Sequence, residues 1–550
     1  MLIDRKDNYL TLKFAYQPHL VAVVKNITGR KFDPNYKRWL VPVDHVEEVL
    51  GKLLPLGFTI SGEVKNLRSH IQAHYDKLNF VRTHPELYTG SLPLYDFQKC
   101  GAVWLKESPS ALLADVPGLG KTIQTISALE GMQNVLILAP ASLKYGWKEE
   151  IIKWTPEIGP GSVNINVIDG KPEERARQWK SYSANVSPTW TIANYELLLR
   201  DFEAICQVPW DVIVCDEATR ISNPVAKTVK LLKQIKAKKR IALTGTPISN
   251  TPVDIWSIID WIRPGYLGNF TQFKDNYTML DGWGSVVGYK DLDDLGAKIA
   301  PLMLRRTKDE VLTDFPPKVI EDVVFDLSDE EKKVYNGIKK QVLYEIQEYL
   351  DKIDTRSLGI IPVKMLRLKQ VTGHLQLVGE KGESTKLATL KEMLGPIIAS
   401  GEKVIIFTQF AEMAKLLQKE FINSYLIYGD IPSEERQRMV TSFNQPLSPE
   451  IMIMTEAGAY GLNLQAASYV FHYDAPWSIA KLMQREDRAH RIGQTKPVTV
   501  YNLIAKNTID EYVAKVLYKK QNISVDILQD VERLEAAGIG EEDIKNILRI

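Results

Sequence analysis

Apolar positions fall into two series of short runs separated by polar, turn-rich stretches. The first series is ALLAD (111–115), VLILAP (135–140), WTIAN (190–194), DVIVCD (211–216) and IALTG (241–245). The second is KVIIFT (403–408), YLIYGD (425–430), IMIMT (451–455), YVFHYD (469–474) and VTVYNLI (498–504). Runs apolar at nearly every position suit strands buried on both faces. With helical stretches between them, they predict parallel sheets flanked by helices. Two α/β lobes follow. Residues 260–385, between the series, carry few strand signals and a helical stretch at 328–350. After the last strand, Thr508 and Glu511 form a capping-box pattern ahead of a stripe of Ile509, Tyr512, Val513, Val516 and Leu517.

The first 62 residues have a different rhythm. Leu10, Leu12 and Phe14 alternate as in a strand, and Val21 and Val24 suggest a short helix. DPNYKR is a turn with WLVPV (39–43) as its return strand. Val46, Val49, Leu50 and Leu53 lie at helical spacing, and FTIS (58–61) would close a small sheet. The expected organisation is a small α+β domain at 1–62 and a linker of helical character at 63–90. Lobe one follows at 91–315, with a helical protrusion at about 260–300. Lobe two follows at 316–523, with a helical insertion at about 328–385. A helical tail, 524–550, is broken near Gly538 and Gly540.

Composition changes this picture little. The 550 residues are 45% hydrophobic and 25% charged, enough for two large domains and an accessory piece. Net charge is +1, so a nucleic-acid partner would have to be met by a local patch or cleft. Cys100, Cys206 and Cys215 form no CxxC pair, which argues against a zinc finger or disulfide frame and fits a reducing compartment. The N-terminus lacks an apolar leader, and no apolar run reaches the ~20 residues of a membrane helix. An intracellular, cytoplasmic protein without a membrane partner is expected.

Four motifs carry chemistry. In ALLADVPGLGKTIQTISAL (111–129) a strand runs into a glycine-rich turn and then a helix. Gly118 and Gly120 would let backbone N–H groups approach phosphate, Lys121 would reach the β- and γ-phosphates, and Thr122 would bind Mg²⁺. The common phosphate-loop pattern has glycine where Asp115 stands. In DVIVCDEAT (211–219), Asp216 would hold Mg²⁺ and Glu217 would orient and deprotonate the attacking water. Arg488 and Arg491 lie three apart on a predicted helix from about 478 to 492, placed to neutralise charge on a transferring phosphoryl group. Thr244 and Thr246, in LTGTP (243–247), could sense the γ-phosphate, although a plain turn is an equally good reading.

Other features have bland readings as the better guess. KAKKR (236–240), RRTK (305–308), and Arg30, Lys31, Lys37 and Arg38 could meet phosphates, but a solvated charged face is the default. Trp147, Trp154 and Trp477 could stack on bases, with core packing favoured. His374 and His490 have no metal-ligand companions, and Cys215 reads as core.

The ordered set resembles the helicase-like ATPases of superfamily 2, specifically the Swi/Snf-type double-stranded DNA translocases, over about 91–520. LYDFQKCGAVWL (94–105) is similar to the family's adenine-recognition segment, which nominates Gln98. APASLKYGWKEEIIKW (139–154) and TIANYELL (191–198) resemble its first DNA-contacting segments. LTGTPISNTPVDIWSIIDWIRPG (243–265), LMLRRTKDEVLTDFPPK (302–318), TEAGAYGLNLQAASYVFHYDAPW (455–477) and QREDRAHRIGQTKPVTVYNLI (484–504) are close to family form. The resemblance implies tandem RecA-like lobes with ATP and Mg²⁺ in the cleft between them. It makes Gln484, Arg488 and Arg491 lobe-two nucleotide contacts, and assigns Gly461 and Asn463 to DNA–ATP coupling. Three departures stand out: Pro117 for methionine, Thr219 for histidine and Ala459 for glycine. Residues 12–43 resemble the HARP domain of annealing helicases, through Tyr16, the Arg30–Asp33 stretch and Trp39.

The expectation is an ATP-dependent, monomeric duplex-DNA translocase that remodels or anneals forked or branched DNA. The alternatives are a strand-separating helicase and an ATP-switched DNA-binding scaffold. A nucleosome remodeller is disfavoured for want of chromatin-reading modules in the sequence, which with the compact size suits a bacterial or viral source.

Overall fold

The computed structural model describes residues 1–155, 162–182, 188–248, 252–280, 286–312, 315–352, 360–456, 462–477 and 479–521. The expected tail, together with Gly461 and Ala459, lies outside them.

Lobe one is built on a seven-stranded, all-parallel sheet. Its order from edge to edge is Met303–Leu304, Ser110–Leu113, Ala237–Leu243, Trp210–Cys215, Asn134–Ala139, Thr189–Asn194 and Asn164–Val167. Period-two alternation sends Leu112, Leu136, Leu138 and Ile213 into one core, and Leu113, Val135, Ile137 and Val214 into another on the opposite face. Both faces are covered, which is why the buried stretches Ala111–Leu113, Val135–Ala139, Val212–Cys215 and Ile241–Leu243 are apolar throughout. The segment expected to protrude contributes Phe273, Tyr277, Leu295 and Ile299 to the first of these cores, and adds a small hairpin of Thr278–Leu280 with Val286–Tyr289.

Lobe two repeats the plan with six parallel strands in the order Lys318–Phe325, Val498–Ala505, Ala467–His472, Lys403–Thr408, Ile451–Thr455 and Ser424–Ile427. The helices Asp329–Lys352 and Ile360–Gly373 share a satellite core with the helix Ile509–Gln521, through Tyr335, Leu368, Val371, Ile509 and Val513. Glu511 caps that last helix from outside, accepting from the Asn507 N–H instead of closing a box with Thr508.

The N-terminal domain is a five-stranded sheet in the order Lys31–Asp33, Arg38–Pro42, Tyr9–Lys13, Leu2–Lys6 and Thr59–Ile60, with its own core around Leu10, Leu12, Val41 and Val49. The polar stretch after it is a 20-residue helix, Gly62–Val81. Val64 and Leu67 at its start bury in the N-terminal core, whereas Leu78 and Val81 at its end bury in lobe one. This helix therefore joins two cores as a strut. Arg263 pairs with Asp44 and donates to the Tyr75 hydroxyl, and the His45 ring lies 3.3 Å from the Gly265 carbonyl oxygen, so the small domain is fixed to lobe one.

Candidate nucleotide site between the lobes

The strand Ser110–Leu113 delivers residues 114–120 into a loop that opens the helix Lys121–Ala128. Gly118 and Gly120 have φ of 91° and 75°, a backbone region that L side chains avoid. Space matters too. A Cβ on Gly118 would sit 2.9 Å from the Arg491 Cβ, and one on Gly120 would meet the Gln98 amide nitrogen at 2.5 Å. Pro117 lies against Gly245 of LTGTP, where a Cβ would come within 2.7 Å of its ring.

Asp115 stands where a simpler phosphate loop has glycine, and it is fully buried. Arg306 forms a bidentate pair with it, Nε to Oδ1 at 3.0 Å and Nη2 to Oδ2 at 2.6 Å, while the Gln124 amide donates to Oδ2. The buried carboxylate is thus matched by a buried cation and further hydrogen bonds, which such a pair needs. RRTK is accordingly no solvated face. KAKKR is one only in part, with Lys236 and Lys238 exposed. Lys239 donates to the Leu105 and Lys106 carbonyls and Arg240 to that of Trp261, so both serve the strand Ala237–Leu243.

Lys121 donates to the Asp115 carbonyl at 2.7 Å. Burial pulls its pKa down, while Glu217, Asp115 and Asp216 act to raise it. Gln98 is committed at both ends, its amide accepting from the Tyr95 N–H and donating to the Leu119 carbonyl, so here it braces the phosphate loop.

Asp216 and Glu217 follow the strand Trp210–Cys215. Trp147 donates its indole N–H to Asp216 Oδ2 at 2.8 Å, the Glu217 N–H donates to Oδ1, and the Tyr195 hydroxyl donates to the Asp216 carbonyl. Burial and the Glu217 charge push the Asp216 carboxyl up to about 6. Glu217 has φ 49° and ψ 57°, a left-handed conformation that costs about 1–2 kcal/mol for a residue with a Cβ. Trp147 is therefore a site residue that core packing alone would have hidden. The segments containing Trp147 and Tyr195 here support the acidic pair. Thr244, which is buried, accepts the Thr246 N–H and so shapes the turn.

The helix carrying Gln484 runs only over Ile479–Glu486. Arg488 and Arg491 lie beyond it, in a tight turn and not on a helical face, which corrects the sequence expectation. Long-range partners stop the helix. Lys308 takes Asp487, the His490 Nε2 hydrogen-bonds the Pro316 carbonyl, and the Gln494 amide donates to the Gln465, Ala467 and Ala489 carbonyls. The turn abuts the phosphate loop, with the Ile492 N–H donating to the Gly118 carbonyl at 3.3 Å. Arg491 Nε is buried with no hydrogen-bond partner among the described residues, and burial together with the Arg488 charge lowers its pKa to about 10. Asn463 Oδ1 is likewise unpartnered. Among the described residues there is no cluster of three or more His, Cys, Asp or Glu suited to holding a metal ion.

The site thus joins a glycine cradle, a lysine, a half-buried acidic pair and a guanidinium from the opposite lobe. These groups fit a nucleoside triphosphate with its Mg²⁺. The cradle would fill with any Cβ, and the unpartnered Arg491 Nε is a donor awaiting an acceptor.

A sequence model of the SNF2-related domain matches residues 36–377, well over half of the chain, and one of the helicase conserved C-terminal domain matches 385–493. The chain is 34% identical to an uncharacterized ATP-dependent helicase of Mycoplasma genitalium, over 78% of this chain and 42% of that protein. It is 33% identical to the putative ATP-dependent helicase/translocase YwqA of Bacillus subtilis, over 84% of this chain and 52% of that protein. The chain spans about half the length of these relatives, or less. The Sulfolobus solfataricus SWI2/SNF2 ATPase core in complex with dsDNA is 30% identical, over 84% of this chain and 98% of that one, with a TM-score of 0.38.

Proposed function

Because this chain belongs to the SNF2-related family of helicase-like ATPases, we propose that it is a DNA-dependent ATPase that translocates on duplex DNA and remodels or anneals forks. The observation that carries the reading is the seating of the lobe-two arginine turn directly on the lobe-one phosphate loop. A triphosphate held by one lobe is then completed only when the other closes, which links hydrolysis to lobe movement.

Backbone N–H groups of 118–122 cradle the phosphates, and Lys121 leaves the Asp115 carbonyl for them. Thr122 and Asp216 would hold Mg²⁺, which when bound neutralises charge on the phosphate oxygens. Glu217 positions and deprotonates water. Arg488 and Arg491 bring positive charge from lobe two, and Gln484 would add a nucleotide contact from the same lobe. Gln98 sets the loop for the base and sugar. Thr244, Thr246, Gly461 and Asn463 relay closure to the DNA track. The organisation proposed from sequence, with an accessory domain at 1–62 and lobes at 91–315 and 316–523, fits a motor with a fork-reading head. The strut Gly62–Val81 supports that part of the reading, because it fixes the head to lobe one.

ATP hydrolysis measured with duplex, single-stranded and forked DNA, and with RNA, tests the proposal. Duplex or forked DNA should stimulate turnover at least tenfold and Lys121→Ala should abolish it, whereas stimulation by RNA alone would overturn the substrate class. Annealing and unwinding assays on one fork separate the annealing reading from a strand-separating helicase. A single burst without turnover would point to an ATP-switched scaffold.

A further inference from the structure

The four residues RRTK were expected to face solvent or phosphate, and the structure uses two of them otherwise. They follow the last strand of the lobe-one sheet, Met303–Leu304, on the connector to lobe two. The start of this connector is stitched to the phosphate loop. The Ala114 N–H donates to the Leu304 carbonyl at 2.7 Å, the Val116 N–H to the Arg306 carbonyl at 3.1 Å, and the Arg306 guanidinium grips Asp115. Two residues later, Lys308 faces the other lobe. Its Nζ donates to Asp487 Oδ1 and to the His490 carbonyl, each at 2.5 Å. Its side chain is 13% exposed and that of Asp487 8%. Its stem passes the phosphate loop, where a Cβ on Gly118 would lie 3.4 Å from the Lys308 Cε.

Asp487 and His490 bracket Arg488, and His490 immediately precedes Arg491. A single ammonium group thus holds the arginine turn at two points, and its own position is set by the loop that those arginines must meet. Charge adds a second reason for the contact. Asp487 is a buried carboxylate beside Lys121 and Arg491, acting on both. Left uncompensated, it would repel an arriving triphosphate.

We propose that Lys308 is the positioning residue that registers the lobe-two arginine turn on the phosphate loop. By neutralising Asp487 it also keeps the site open to an anionic ligand. It touches no reacting atom, so its effect is transmitted through Arg488 and Arg491. The inference rests on the ATPase reading for its kinetic consequence, but the latch itself can be observed without hydrolysis.

The test compares wild type, Lys308→Gln, Lys308→Arg and Lys308→Gln/Asp487→Asn. Steady-state ATPase at saturating duplex DNA supplies kcat and KM. Spin labels on Cys206, which is exposed, and on an introduced Ile422→Cys, 87% exposed in the native chain, report the interlobe distance. Lys308→Gln should lower kcat at least tenfold, raise the KM for ATP, and broaden or lengthen the distance distribution. Lys308→Arg should stay within about threefold of wild type. The double variant should recover KM while kcat stays low, because the hold on the His490 carbonyl is still missing. A merely structural lysine would lower the melting temperature and shift kcat and KM without that split, which contradicts the proposal. So would kcat and KM within twofold of wild type alongside an unchanged distance distribution. If wild type hydrolyses no ATP, the functional reading falls and the distance measurement alone decides the latch.

Discussion

Two pairs of consecutive acidic residues, one in each lobe, are treated in opposite ways. Asp216 and Glu217 end a lobe-one strand. The Asp216 carboxylate is held by an indole and a backbone N–H, and burial beside Glu217 pushes it up to about 6. Glu486 and Asp487 end a lobe-two helix, and each has its own lysine, Lys318 at 2.5 Å and Lys308 at 2.5 Å. Burial alone would raise the Glu486 carboxyl, but His472 and Lys318 hold it below its ordinary value. On the proposed function, the contrast separates carboxylates that would hold a metal ion and position water from carboxylates paired for architecture. A strained, desolvated pair costs stability and marks chemistry, while a paired one does the reverse.

The sharpest way to break that contrast is to neutralise the reserve pair. Glu217→Gln should reduce DNA-stimulated kcat by about 10³-fold, within the range for loss of a general base, and leave DNA binding nearly intact. A smaller effect is expected from the architectural pair. Glu486→Gln strands the Lys318 charge and should cost about 3 kcal/mol, read as a lower melting temperature.

The smallest prediction concerns Asp216 and has the opposite sign. Its folded pKa lies above its unfolded value of 3.8. The folded state therefore binds its proton more tightly, and this group's contribution to stability falls as pH rises from about 4 to 6. Asp216→Asn should consequently stabilise the metal-free protein by about 1–3 kcal/mol at pH 7, with the advantage vanishing near pH 4. Glu486, held low, contributes stability that is present above its ordinary 4.5 and lost as pH falls. Melting curves across pH for both variants would show slopes of opposite sign. Parallel slopes would erase the distinction.

How much could be read in advance depended on whether partners were local. Ten strands announced themselves through apolar runs, nine of them interior to their sheets. The strand Lys318–Phe325 did not, since it is an edge with Val319 and Val324 exposed and its burial alternates. The strut Gly62–Val81 read as a linker because its few buried positions sit at opposite ends, in two different cores. The phosphate loop was legible from Gly118, Gly120 and Lys121, whose spacing is local chemistry. The turn at 487–492 was not, because Lys308 and Pro316, more than 170 residues away in the chain, stop the helix there. Trp147 was hidden for a similar reason. Its indole meets Asp216 only after two parallel strands have been laid side by side.

The central claim is that a lobe-two guanidinium completes a site built on lobe one. Single-turnover ATP hydrolysis by Arg491→Ala at saturating duplex DNA tests it most directly. The account predicts a rate about 10³-fold below wild type, with ATP binding changed by no more than a few-fold. Hydrolysis at the wild-type rate would contradict it.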